Sequence, residues 1–139
     1  MMHYYCHKDK SYIFLILSCA PAALPLPTMA DYITLDKLEQ LNEIDELSKT
    51  KLQIIFKHST RCSVSSMAKR GLDGELRQAS ATPFDIYYLD LIAHREVSNA
   101  IASRYGVQHE SPQILAIKDG RSIFDASHSD VSLEDALSA

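Results

Sequence analysis

An α/β fold with a mixed central sheet flanked by helices is predicted from three observations. Short apolar runs rich in β-branched and aromatic residues alternate with amphipathic stretches of helical period. The alternation continues through the first three runs, which implies parallel pairing through right-handed crossovers. Asp119-Gly120, between the last two runs, is a two-residue hairpin signal, so the same sheet also holds an antiparallel pair.

The elements follow in order. A brief first strand is expected near Tyr32 to Thr34. Thr34 is the expected N-cap of the first helix, with Asp36 in the first turn and Ile33 and Leu38 at the two positions of a hydrophobic staple. Leu35, Leu38, Leu41, Ile44 and Leu47 recur every three residues, a helical stripe that drifts around the axis. Leu52 to Lys57 is short, apolar and β-prone, and reads as a buried strand. The chain turns at His58-Ser59-Thr60-Arg61 and reaches Cys62. Ser63 to Gln78 is helical in pattern, with a break or kink expected at Gly71 and Gly74. Phe84 to Leu91 is the next strand, with Tyr87 and Tyr88 packed in or beside the sheet. Arg95 to Tyr105 is a helix closed by Gly106, which is free to take positive φ. Ile114 to Ile117 and Ser122 to Ala126 flank the hairpin, and Ser132 caps a last helix from Leu133. The order β-α-β-α-β-α-β-β-α is the thioredoxin arrangement.

A chain of 139 residues fits one such domain with a buried core. Its formal net charge of -4 provides no electrostatic footprint for nucleic acid. The first segment stands apart: Lys8 and Lys10 precede a short apolar run, Tyr12 to Leu17, followed by Cys19 and a Pro/Ala stretch. The run falls well short of the roughly 20 residues of a membrane span. The expected organisation is an extension over 1–28, with translation beginning at Met29, and a thioredoxin-like domain over 29–139. The competing reading is a weak signal-like segment in which Ile16-Leu17-Ser18-Cys19 resembles a lipoprotein cleavage box. The first reading places the protein in the cytoplasm; the second has it exported.

The three cysteines, Cys6, Cys19 and Cys62, are odd in number, and none lies at C-x-x-C spacing. No histidine pair completes a zinc pattern, so no metal site is expected. Cys62 is the only thiol outside the first segment, and it stands at a strand–loop–helix junction. A thiol there meets unpaired backbone N–H groups and the positive end of the helix dipole, with Arg61 adjacent, and each favours the thiolate. The thiolate is the attacking species in disulfide exchange. The plainer alternative is an inert buried cysteine. Ser65 occupies the place of a second cysteine, which makes Cys62-Ser63-Val64-Ser65 a monothiol site whose hydroxyl can donate a hydrogen bond to the Cys62 sulfur. Ser111-Pro112-Gln113 precedes a strand that leads into a hairpin. In the thioredoxin arrangement the proline there follows a cis peptide bond, and Ser111 offers its backbone N–H and C=O to an extended substrate. Among the histidines, His58 and His109 are expected as solvated loop residues ahead of any tuning role, and His94 and His128 as surface residues. Asp36, Glu39, Glu43 and Glu46 read as a solvated helix face.

Three stretches carry a resemblance. Phe56-Lys57-His58-Ser59-Thr60-Arg61-Cys62-Ser63-Val64-Ser65 resembles the active-site stretch of the monothiol bacilliredoxins, also called bacillithiol-system redox-active proteins. Tyr105-Gly106-Val107-Gln108-His109-Glu110-Ser111-Pro112-Gln113 resembles their cis-proline segment, and Ala126-Ser127-His128-Ser129 a third stretch near their C-terminus. The resemblance spans about Asp31 to Ala139, in order and spacing. Members often carry proline directly after the cysteine; Ser63 stands there here. The resemblance implies a cytosolic thiol–disulfide oxidoreductase with no bound cofactor. It would remove bacillithiol, a low-molecular-weight thiol, from S-bacillithiolated proteins. By motif match Cys62 is the attacking thiol, Ser65 its +3 partner and Pro112 the cis-proline, with Thr60, Arg61 and Ser111 on the substrate side. Two other readings stand beside it: a monothiol glutaredoxin-like iron–sulfur carrier, which lacks support here because the glycine after the cysteine and the late Gly-Gly pair are missing, and a thioredoxin-fold adaptor without turnover.

Overall fold

The computed structural model describes residues 31–79 and 83–139. The expectations for 1–28, including Cys6, Cys19 and the start at Met29, lie outside the described residues. Five strands form one sheet: β1 (Ile33–Thr34), β2 (Leu52–His58), β3 (Phe84–Asp90), β4 (Gln113–Lys118) and β5 (Arg121–Ser127). Among the described residues four α-helices accompany them, α1 (Glu39–Leu47), α2 (Ser63–Gln78), α3 (Arg95–Tyr105) and α4 (Leu133–Ser138), with a short 3-10 turn over His128–Asp130. The spatial order is β1-β3-β2-β4-β5. β1, β3 and β2 run parallel, while β4 is antiparallel to β2 and β5 to β4, so the mixed sheet predicted from the hairpin signal is present.

Alternation along β2 divides the core in two. Ile55 faces a cluster with Leu41 and Ile44 of α1 and Val97 and Ile101 of α3. Ile54 and Phe56 face the other side, with Leu72 of α2 and Leu133 and Ala136 of α4. Both faces of the central strands are covered, which is why these strands read as continuous apolar runs rather than as alternating ones.

The first helix starts later than expected. Thr34 lies in β1 and does not cap; the N-cap position of α1 is Leu38, which makes no side-chain cap hydrogen bond. Gln40 takes over part of that task, its Oε1 accepting from the backbone N–H groups of Asp36 and Lys37 and its Nε2 donating to the Thr34 carbonyl. The drift of the three-residue stripe decides which leucines are buried: Leu41 and Ile44 are enclosed, whereas Leu38 and Leu47 are 37% and 44% exposed. With the N-cap at Leu38, Ile33 and Leu38 do not stand at the two positions of a staple. α2 runs through Gly71 and Gly74 without the expected break. An added Cβ at either glycine meets nothing within 4 Å, so no close packing calls for glycine there and the hydrogen-bonded ladder simply continues.

Three local expectations match. Gly106 ends α3 at φ 65, Asp119 and Gly120 both take positive φ in the hairpin, and the Ser132 side chain accepts from the Asp135 N–H at the start of α4. Two positive φ values in a two-residue loop fit the twist of the strands they join.

Candidate active site

β2 delivers the chain to one end of the sheet, where the three quoted stretches meet. His58 closes the strand, a turn brings the Cys62 N–H to the Ser59 carbonyl at 3.2 Å, and α2 begins. Cys62 is the N-cap residue of α2, extended at φ -105 and ψ 125. Its carbonyl accepts the first helical bond from Ser66 N–H at 3.0 Å, and the Ser66 hydroxyl also donates to it. The thiol is free and half-buried. Thr60 and Arg61 lie exposed on the turn before it.

Ser65 is fully buried one turn into the helix. Its Oγ accepts from the Ser59 N–H at 2.9 Å and lies 2.8 Å from His58 Nδ1. The hydroxyl expected to face the Cys62 sulfur is thus engaged with the loop backbone and the histidine. His58 corrects its expectation as well. It is buried, not solvated, with its ring 5.9 Å from that of Phe56 and 5.6 Å from that of Tyr88. Burial, and then the positive charge of Lys69, hold its imidazole below the ordinary range, so the ring is neutral. Lys69 is fixed by Asp73 and lies 4.9 Å over the Tyr32 ring.

The opposite wall comes from the start of β4. Lys57 pairs with Gln113 in the antiparallel register, so continuing one step sets His58 beside Pro112. The Ser111–Pro112 peptide is cis, as the thioredoxin arrangement predicts. His128, the residue after β5, donates its backbone N–H to the Pro112 carbonyl at 2.9 Å, and its imidazole lies 3.6 Å from Glu110. His128 is exposed as expected, while His94 is half-buried. Ser111 enters no turn or loop backbone hydrogen bond among the described residues, and its buried Oγ has no partner among them.

Below this end, on the α1/α3 face, lies a group that sequence reasoning passed over. Lys57 is fully buried. Its Nζ is 2.8 Å from His109 Nδ1 and donates to Gln113 Oε1 at 3.0 Å. The available signal was a single lysine inside an apolar strand. Val64 and Met67 were also passed over; they stand 49% and 69% exposed on the first turns of α2, just after Cys62. Among the described residues no group of three or more His, Cys, Asp or Glu side chains is placed to hold a metal ion.

A family model for the monothiol bacilliredoxin BrxC matches residues 33–136. The chain belongs to the monothiol bacilliredoxin family. The match spans Lys57, His58, Cys62, Ser65, Ser111 and Pro112. Among solved structures, the chain is similar to a candidate oxidoreductase with a thioredoxin fold at 30% identity and a TM-score of 0.64, covering 76% of this chain and 92% of that one. It is similar in fold to thioredoxin from Malassezia sympodialis (17% identity, TM-score 0.63, 84% of this chain and 96% of that one). The same holds for thioredoxin from Schistosoma mansoni (20% identity, TM-score 0.60, 78% and 97%). Family and fold together make this a redox thiol protein of the thioredoxin class.

Proposed function

We propose that the protein reduces mixed disulfides between proteins and bacillithiol, acting in the cytoplasm through Cys62. The observation that carries this reading is the position of Cys62: half-buried at the N-cap of α2, on the end of the sheet that also presents Ser111 and Pro112. The thiolate is the attacking species in disulfide exchange. The uncommitted backbone of Ser111 suits an extended target chain, which would add to it as a short strand. The exposed Val64 and Met67 beside the thiol favour a protein as one half of the substrate, since they offer apolar surface that a small thiol alone does not need. Thr60 and Arg61 flank the approach.

In the proposed step the Cys62 thiolate attacks the bacillithiol sulfur of the mixed disulfide. A Cys62–bacillithiol disulfide forms, the original disulfide breaks, and the target cysteine leaves as a thiolate that takes a proton from solvent. Cys62 is thereby oxidised and the target reduced. With Ser65 at the +3 position no second thiol of the site resolves the adduct, so a second thiol from outside returns Cys62 to its starting state. No bound cofactor is needed.

The test is incubation of a bacillithiolated protein with the wild type and with Cys62→Ala. The expected result is loss of the adduct from the target with the wild type only, and a mass increase of one bacillithiol on Cys62. Retention of the adduct by both proteins would refute the reading. A chromophore on reconstitution with iron and sulfide would favour the cluster carrier instead.

A further inference from the structure

Lys57 is a fully buried cation that the exchange step does not use, and its surroundings are unusually specific. It sits on β2 one residue before His58, and therefore on the strand that carries the Cys62 loop. Its ammonium reaches across the antiparallel pair to two residues that flank Ser111–Pro112: His109 Nδ1 at 2.8 Å and Gln113 Oε1 at 3.0 Å. Gln113 extends the connection, donating from Nε2 to the Gln108 carbonyl at 2.9 Å. Ser98 of α3 backs the histidine, its Oγ 3.2 Å from Nδ1. One charge thus holds both ends of the segment 108–113.

From this geometry we propose that Lys57 is a positioning residue for substrate docking: its ammonium ties the strand that bears the nucleophile loop to the segment that receives the target chain, and sets their separation. The proposal rests on the function proposed above and adds the group that fixes the docking edge. The protonation states agree with it. Burial holds the Lys57 ammonium down at about 8, so it remains charged at neutral pH. Burial, then Lys57 and Arg95, hold His109 below the ordinary imidazole range against the opposing pull of Glu110; facing an ammonium that can only donate, Nδ1 is the acceptor. A charged donor with two neutral acceptors satisfies a buried cation without a carboxylate. Docking geometry matters because small displacements of reacting groups are costly in rate.

The experiment compares Lys57→Met, His109→Leu and His109→Gln with the wild type on two substrates. One is a bacillithiolated protein, which must dock along Ser111; the other is the small disulfide DTNB, which need not. Lys57→Met and His109→Leu are expected to lose about tenfold or more on the protein adduct and less than about twofold on DTNB. His109→Gln, which keeps an acceptor, is expected to stay near the wild-type rate. A second readout does not involve redox chemistry: the His109 ring titration, followed by NMR, is expected to move upward in Lys57→Met. Equal losses on both substrates, a His109→Leu protein that matches the wild type, or an unmoved His109 titration would each overturn the proposal. A wild type that reacts with DTNB but ignores the protein adduct would instead refute the proposed function, and the positioning role of Lys57 is then judged on the His109 titration.

Discussion

At the scale of single residues, the site is built on two buried polar groups on opposite faces of β2. His58 faces α2 and meets Ser65; Lys57 faces α3 and meets His109. Removing one member of such a pair strands the other without water. Ser65→Ala leaves the Ser59 N–H and His58 Nδ1 without their partner, and is expected to cost about 1–3 kcal/mol of stability in urea unfolding. His58→Phe should cost less, because the site already has Phe56 and Tyr88 as ring neighbours, and a double-mutant cycle with Ser65→Ala should give a coupling of about 0.5 kcal/mol or more. Additive losses would show that the two side chains act independently. Lys57 behaves differently. Its amine is pushed down from 10.5 to about 8, so between those values the unfolded chain binds more protons than the folded one. Stability from this residue therefore rises with pH across that window, and is least where Lys57 is charged in both states. Lys57→Met is expected to lose that rise, which unfolding midpoints at neutral and alkaline pH will show.

At the scale of elements, the helix ends and interiors make separable predictions. Gly71 and Gly74 sit inside α2 with open space where a Cβ would go. Alanine at either should stabilise by about 0.5–1 kcal/mol, since glycine only adds backbone freedom to the unfolded chain. Gly106 is the opposite case: at φ 65 an alanine is strained, and Gly106→Ala should destabilise by about 1 kcal/mol or more. Thermal melts of the three variants should move in opposite directions; a common sign would contradict the backbone argument. Ser132→Ala removes the hydrogen bond to Asp135 and should cost about 1 kcal/mol, read in the same assay.

For the whole molecule, acid is the relevant stress. His58 and His109 are both held below the ordinary value of 6.5 chiefly by burial. Between their lowered values and 6.5 the unfolded chain takes up protons that the folded chain refuses, so stability falls as pH drops through this window. Protonating His109 also sets a second cation against Lys57, with Arg95 nearby and only Glu110 opposing. The urea midpoint should therefore fall more steeply below pH 6.5 in the wild type than in the His58→Phe/His109→Gln double variant, and parallel curves would assign acid sensitivity elsewhere.

How much of this was legible beforehand follows from range. Strand and helix identities, the Gly106 and Asp119-Gly120 turns, the Ser132 cap and the placement of Cys62 at a helix start were all readable, because each depends on residues within a few positions of one another. Thr34 failed as a cap because it was drawn into pairing with Tyr88 of β3, more than fifty positions away. His58 looked like a solvated loop residue until the sheet put Tyr88 and α2 over it, and Lys57 looked like an ordinary strand residue until β4 brought His109 and Gln113 to its amine. Local order thus came from the linear pattern of side chains and turns. Which polar groups are buried, and whom they meet, was decided only when distant strands closed on one another, since the desolvation of a charge depends on every neighbour in space and not on those along the chain.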